Sequence, residues 1–119
     1  MSNARVVIVV ATVVLFVAVG GYLVFGVNHH TPQNLTFNLT VTGATTMEPS
    51  TLNAHLNDTI TINIKSDTDG EVHLHDYDIA FDTKAGEAVS HTFKATQTCS
   101  CAIEWESTSH PLGTLVVSP

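Results

Sequence analysis

An uninterrupted run of apolar residues lies near the N-terminus of the chain. Residues 6–27 read VVIVVATVVLFVAVGGYLVFGV and contain no charged side chain. A helix of this length crosses the hydrocarbon core of a bilayer, which is about 30 Å thick. Valine and isoleucine favour strands in water, but an open strand in lipid leaves its backbone polar groups unpaired. The pattern therefore predicts an N-terminal transmembrane helix within residues 1–27.

Two interpretations of this run stay open, a retained anchor and a cleaved signal peptide. Ala18 and Gly20 are small residues of the kind found at signal-peptide cleavage sites. The apolar run continues to Phe25 and beyond, which favours a retained anchor. Arg5 precedes the run and the next basic residue is Lys65, so the positive-inside rule leaves the N-terminus in the cytoplasm. We predict a single-pass protein of the cell membrane whose C-terminal domain is extracytoplasmic, either periplasmic or at the cell surface.

The pattern changes to a period of two after a short polar segment. Residues 28–34 (NHHTPQN) are polar, include Pro32 and are typical of a linker. Apolar and polar side chains then alternate, which predicts half-buried strands. The clearest alternating positions are Leu35, Phe37, Leu39 and Val41 in one stretch, and Ile60, Ile62 and Ile64 in another. Residues 35–119 are therefore predicted to form one β domain.

Shorter apolar stretches separated by turn residues continue to the C-terminus. They occupy residues 72–74, 79–81, 88–95, 99–106 and 113–117. Strands at this spacing, without a helical period, predict an all-β sandwich or Greek-key barrel of about seven strands. The predicted core consists of Leu35, Phe37, Leu39, Ile60, Ile62, Ile64, Phe93, Ile103 and Leu115.

The charge balance narrows the choice of partners. The formal net charge is −7 at neutral pH, and only three lysines follow the apolar run. An acidic surface repels phosphate backbones, so the sequence predicts no binding of nucleic acid. It is compatible with cations as ligands.

Two pairs of residues with metal-binding side chains stand out in the predicted strands. They are His73 with His75 and Cys99 with Cys101. Residues i and i+2 of a strand point to the same face, so each pair presents two like ligands side by side. Thiolates and imidazoles together select copper or zinc over calcium or magnesium. No nucleophile elbow, HExxH motif or P-loop occurs in the sequence, which predicts that the protein is not an enzyme.

The cysteines have alternatives to metal binding. An exported protein with two cysteines usually forms a disulfide. In a regular strand, however, residues i and i+2 are roughly 7 Å apart and their side chains run parallel, so the spacing resists a bridge within the pair. A strained or inter-chain disulfide and two buried thiols remain open beside metal binding.

The domain resembles the cupredoxin-like family in several segments. Residues 72–78 (VHLHDYD) are similar to the VHxHGYD signature of small exported cupredoxin-like domains. Residues 47–60 resemble the opening of that family, and residues 113–117 (GTLVV) resemble its closing strand. The resemblance implies a cupredoxin-like Greek-key β-sandwich across residues 35–119, preceded by the transmembrane helix.

The resemblance also implies which residues bind the metal. Members with a mononuclear blue-copper site place a cysteine near the end of the penultimate strand, where this sequence has Trp105. Met47 followed by Cys99-Ser100-Cys101 instead resembles the membrane-tethered periplasmic copper proteins encoded with particulate methane monooxygenase, whose Cys-x-Cys pair builds a thiolate-bridged copper centre between two subunits. By this likeness copper is the cofactor, and Cys99, Cys101 and Met47 are its ligands in a homodimer. His73 and His75 are further candidate ligands, which the family geometry places at the opposite end of the sandwich.

Two functions follow as expectations. The first is a membrane-anchored extracytoplasmic copper protein for copper handling or electron transfer, with the copper held at a homodimer interface. The alternative is a metal-free adhesion or assembly module in which the cysteines form an inter-chain disulfide.

Overall fold

The structure is a computed structural model that describes residues 30–119. The predicted transmembrane helix and residues 28 and 29 of the predicted linker lie outside these residues. Between residues 30 and 119, no helix is long and apolar enough to span a membrane. The strands belong to a compact unit, Pro32–Pro119.

The described part of the chain forms nine strands in two sheets. The strands are β1 (Asn34–Thr42), β2 (Thr46–Glu48), β3 (Thr51–His55), β4 (Thr59–Ser66), β5 (Gly70–Leu74), β6 (Ile79–Thr83), β7 (Ala88–Lys94), β8 (Cys99–Trp105) and β9 (His110–Ser118). A 3-10 turn, Glu106–Thr108, joins β8 to β9. The predicted all-β sandwich is confirmed, but the predicted number of strands was too low. The two unpredicted strands, β2 and β3, have only three and five residues, too few for a clear alternation.

One sheet has the order β2-β1-β4-β7 and the other has the order β3-β9-β8-β5-β6. Two neighbouring pairs, β1 with β4 and β3 with β9, are parallel, and the remaining pairs are antiparallel. Strands β5 and β8 pair through Val72 with Trp105 and Leu74 with Ile103. This register determines which side chains meet on the two faces of the second sheet.

Alternation buries one side of each central strand between the sheets. The isoleucines of β4 are at most 1% exposed, and Cys101, Ile103 and Trp105 of β8 are also buried. Of the predicted core, Leu39, Ile60, Ile62, Ile64, Ile103 and Leu115 are buried, whereas Leu35, Phe37 and Phe93 are only partly buried. The exceptions lie on open edges, because β7 is an edge strand and β2 covers only residues 40–42 of β1.

The two ends of the sandwich carry different residues. We call the end with Cys99, Cys101 and the loop after Leu74 the cysteine end. The opposite end holds Trp105 and the turn from β4 to β5, and we call it the tryptophan end.

Candidate metal centre

Cys99 and Cys101 lie at the start of β8, and both belong to the inward-facing series of that strand. Cys101 is fully buried and Cys99 is partly buried. Their sulfur atoms form a disulfide, and the two Cα atoms are 5.3 Å apart. Of the alternatives that the sequence leaves open, the structure has the disulfide within the pair, and the Cα separation is shorter than the roughly 7 Å of a regular strand. The strand can shorten here because this part of β8 pairs with β9 alone, and β5 reaches only as far as Ile103.

Asp76 completes a group of three potential ligands with the two cysteines. One carboxylate oxygen of Asp76 and the two sulfur atoms all lie within 4.8 Å of one another. The backbone of Asp76 is left-handed, with φ of 69°. Glycine adopts this conformation without steric cost, whereas other residues do so less readily. Sequence analysis missed Asp76, although its signal was present: an aspartate occupies the glycine position of the VHxHGYD signature.

The loop that carries Asp76 is fixed to the start of β8 by hydrogen bonds. The Tyr77 hydroxyl donates to the Gln97 carbonyl oxygen at 2.7 Å and accepts from the Gln97 N–H at 3.2 Å. The Gln97 side-chain amide donates to the Asp76 carbonyl oxygen at 3.1 Å. On the other side of the loop, the His75 N–H donates to the Ala102 carbonyl oxygen at 2.9 Å. These contacts hold the Asp76 carboxylate beside the cysteines.

The spacing and chemistry of these donors fit a thiophilic metal ion once the disulfide is reduced. Two ligands bound to one ion at about 2.0–2.3 Å are no more than about 4.6 Å apart, close to the spacing of this group. Two thiolates with one carboxylate favour copper or zinc. Asp76 is exposed, so the group is open to solvent on one side.

His73 and His75 lie on the outer face of the five-stranded sheet, while Val72 and Leu74 point inward. Their ring centroids are 4.5 Å apart. His75 lies toward the cysteine end, since its backbone N–H donates to the Ala102 carbonyl oxygen of β8, whereas His73 pairs with Glu104 beside the tryptophan end. The expectation that both histidines lie at the opposite end from the cysteines is therefore wrong for His75. They are nevertheless separated from the sulfur atoms by the sheet itself, because Cys99 and Cys101 face inward.

Met47 lies at the tryptophan end and is 5% exposed. It pairs with Val41 on β1, and a Cβ atom added at Gly113 would lie only 2.6 Å from its Cε atom. Gly113 pairs with Ile103, whereas Cys101 pairs with Leu115 further along β9. Within one chain, Met47 thus lies at the tryptophan end of the sandwich and the two cysteines of the predicted Met plus Cys-x-Cys ligand set lie at the cysteine end. The role of Met47 as a ligand stays a prediction.

The tryptophan end is closed by packing. The Trp105 indole covers Gly70 so closely that a Cβ atom at Gly70 would collide with the ring. His110 lies nearby and its Nε2–H donates to the Thr45 carbonyl oxygen at 3.0 Å. The position at which the resemblance places the cysteine of a mononuclear copper site thus holds an aromatic side chain of the core.

Comparison with solved structures identifies the fold. A copper-binding protein solved in the apo form matches 75% of this chain and 92% of its own, with a TM-score of 0.61 and 12% identity. Auracyanin A, a "blue" copper protein of Chloroflexus aurantiacus, matches 71% of this chain and 98% of its own, with a TM-score of 0.53 and 15% identity. The blue copper oxidase of Nitrosomonas europaea matches 74% of this chain and 39% of its own, with a TM-score of 0.55 and 14% identity. The domain has a cupredoxin-like fold.

The cupredoxin-like assignment rests on three-dimensional likeness. Neither the protein-family models nor the curated protein sequences give a match to this chain. At this level of identity the likeness shows the fold, and the chemistry has to be argued from the residues of this chain.

Proposed function

We propose that the protein is a membrane-anchored, extracytoplasmic copper protein whose copper is bound by the thiolates of Cys99 and Cys101. The observation that supports this function is the convergence of two sulfur atoms and the Asp76 carboxylate within 4.8 Å of one another, at one end of a cupredoxin-like sandwich. The structural neighbours include copper proteins, which agrees with copper as the metal.

Copper binding requires the reduced form of the cysteine pair. Two molecules of a thiol donor reduce the Cys99–Cys101 disulfide, which gives two protein thiols and one donor disulfide. The metal then displaces the two thiol protons, because the thiolate is the ligand. The disulfide in the structure is, in this proposal, the metal-free oxidised form of the site.

A second copy of the chain supplies the missing ligands. One chain offers two sulfur atoms and one carboxylate, and the exposed Asp76 leaves this side of the group accessible. A two-fold dimer would bring an identical group to the opposite side of the copper, and such isologous contacts are the commonest way to form a dimer. This is the homodimer implied by the family resemblance, with copper handling or electron transfer as its role.

Membrane anchoring and the extracytoplasmic location are tested by a separate experiment on intact cells. Protease added to intact cells should remove the β domain while the N-terminal segment stays with the membrane fraction. A β domain that is protected in intact cells but digested after lysis would contradict the extracytoplasmic location.

The copper site is tested by titrating the reduced full chain with Cu⁺ in mild detergent without oxygen. Metal analysis and mass spectrometry should show copper bound in a fixed ratio to the chain. The variants Cys99→Ser and Cys101→Ser should each lose this stoichiometric binding. Ser100→Ala, which changes the exposed residue between the two cysteines, is the matched control and should bind as the parent does. Equal binding by the parent and both cysteine variants would overturn the proposal.

If the parent and both cysteine variants bind copper equally, the metal-free assembly module becomes the better account of the protein. Each sulfur atom has its disulfide partner within its own chain, so an inter-chain disulfide would require exchange of the existing bond. A double-mass band on a non-reducing gel, abolished by either cysteine substitution, would favour the module.

A further inference from the structure

The outer face of the five-stranded sheet carries a second group of metal-binding side chains, which contains no sulfur. The register of β5 with β8 brings the two histidines of the VHLHDYD segment beside carboxylates from β8 and from the 3-10 turn. The group consists of His73, His75, Asp78, Glu104 and Glu106. We call it the histidine face.

The contacts of His73 determine the proton position on its neutral ring. His73 Nε2 lies 2.8 Å from Asp78 Oδ1, and an ionised carboxylate accepts hydrogen bonds only. The proton of the neutral ring is therefore on Nε2, and Nδ1 presents its lone pair. A histidine that binds a metal usually donates its other ring N–H to a carboxylate in this way.

The lone pair on His73 Nδ1 faces a carboxylate. Nδ1 is inaccessible to solvent and has no hydrogen-bond partner among the described residues, yet it lies 3.3 Å from Glu106 Oε2. Two acceptors at this distance repel each other unless a proton or a metal ion lies between them. A nitrogen and an oxygen ligand bound at about 2.0–2.1 Å to one tetrahedral ion are about 3.3 Å apart. The observed separation therefore matches the spacing of two ligands on one shared metal ion.

His75 lies beside His73 on the same face. Its ring centroid is 4.5 Å from that of His73, and its Nε2 lies 3.0 Å from Glu104 Oε2. The side chains of Glu106 and His75 are 51% and 41% exposed, so both can adjust around an incoming ion. The donor atoms of His73, His75 and Glu106 do not lie within 4.8 Å of one another as those of the cysteine group do, so these side chains have to move together to bind an ion.

We propose that the histidine face is a second metal site, which binds a divalent transition-metal ion through His73 Nδ1, His75 and Glu106, with Asp78 as the carboxylate that orients His73. Imidazole and carboxylate ligands without sulfur suit Zn²⁺ or Cu²⁺ rather than Cu⁺. This site is independent of the proposed copper site, because it uses no thiolate and stays available when Cys99 and Cys101 form a disulfide.

The test is calorimetric titration of the oxidised full chain in mild detergent with Zn²⁺ alone. The disulfide removes the thiolates from competition, so binding reports on nitrogen and oxygen ligands. The parent should bind one Zn²⁺ per chain with a resolvable affinity. His73→Ala and Glu106→Gln should each weaken that binding at least about 100-fold, and Asp78→Asn should weaken it about 10–100-fold because it removes only the orienting partner.

His91→Gln is the matched control, since His91 is an exposed histidine on β7 in the other sheet. It should bind Zn²⁺ as tightly as the parent, and circular dichroism of every variant should show the parent fold. Absence of stoichiometric Zn²⁺ binding by the parent, or equal binding by the parent, His73→Ala and Glu106→Gln, would overturn the proposal. Neither result changes what the Cu⁺ titration of the reduced chain is expected to show. The proposed second metal site can therefore be refuted without refuting the proposed copper site.

Discussion

The two ends of the sandwich differ in what occupies the space beyond the central strands. At the tryptophan end, the Trp105 ring covers Gly70 and the Met47 methyl group contacts Gly113. At the cysteine end, Asp76 is exposed and a sulfur pair lies beside it. One end is closed by apolar packing, whereas the other presents ligands to solvent.

Gly70 and Asp76 differ in what limits the residue at each position, which is the available space at Gly70 and the backbone conformation at Asp76. At Gly70 a larger residue has no room, because the aromatic ring occupies that space. At Asp76 a glycine would suit the left-handed backbone better, but a carboxylate is present. Because Asp76 also lies beside the two sulfur atoms, we propose a functional role for it. In this proposal the tryptophan end contributes stability and the cysteine end binds the metal.

The largest expected effect on stability is at Trp105. Trp105→Ala should lower the free energy of unfolding by about 3–5 kcal/mol, because it leaves a cavity where a 4% exposed indole packs on Gly70. Urea denaturation followed by circular dichroism measures the loss. Trp105→Phe keeps an aromatic ring and should lose less. Equal stability of the parent and Trp105→Ala would contradict the role assigned to this end.

Gly70→Ala should have the next largest effect. The added methyl group collides with the Trp105 ring and forces it to move, which should cost about 1–3 kcal/mol of unfolding free energy. Gly86→Ala is the control for a change from glycine to alanine without a collision, since no atom lies within 4 Å of a Cβ atom there. Its left-handed φ of 80° introduces strain of another kind. In the Trp105→Ala background, Gly70→Ala should therefore lose most of its cost, while Gly86→Ala should not.

Asp76→Gly should change stability and copper binding in opposite directions. Relief of the left-handed backbone should raise the unfolding free energy by up to about 1 kcal/mol, while loss of the carboxylate should weaken Cu⁺ binding to the reduced chain. Asn57→Gly is the matched control, because Asn57 is also left-handed, with φ of 73°, is exposed and belongs to neither proposed metal site. Asn57→Gly should leave Cu⁺ binding unchanged. If Asp76→Gly and the control variant change Cu⁺ affinity equally, Asp76 is not a ligand of the copper.

The smallest expected effect concerns Asp67 at the tryptophan end. The Gly43 N–H and the Thr68 hydroxyl donate to its carboxylate and hold its pKa below the ordinary value of 3.8. A lowered pKa in the folded state adds stability above the unfolded pKa, and that stability is lost as the pH falls through the folded pKa. The stability difference between the parent and Asp67→Asn should be constant above about pH 5 and shrink below pH 3.8. A difference that grows in acid would contradict this assignment.

Much of the sandwich is predictable because its central strands are regular. The alternating isoleucines of β4 have only one arrangement that buries all three, and the structure adopts it. The short strands β2 and β3 cannot be predicted from alternation, since their formation depends on pairing with other strands. The transmembrane helix within residues 1–27 stays a prediction.

The candidate site is predictable only where the ligands lie on a single strand. The spacing of Cys99 and Cys101 places them on one face, as expected. Asp76 joins them through a left-handed loop that Tyr77 and Gln97 hold in place. Its replacement of the signature glycine marks the position as unusual, but the contact with the cysteines depends on the fold. The neighbours of His73 and His75 also depend on the register between β5 and β8, which brings together residues far apart along the chain.

Copper K-edge X-ray absorption of the reduced, copper-loaded full chain tests the central claim most directly, because it reports the atoms bound to the metal. Copper held at the cysteine end should show two or more sulfur ligands at about 2.3 Å, the length of a metal–thiolate bond. Ser100→Ala should give the same spectrum, and Cys101→Ser should lose sulfur ligands. A spectrum of the reduced parent with only nitrogen and oxygen ligands would contradict the assignment of Cys99 and Cys101 as the copper site.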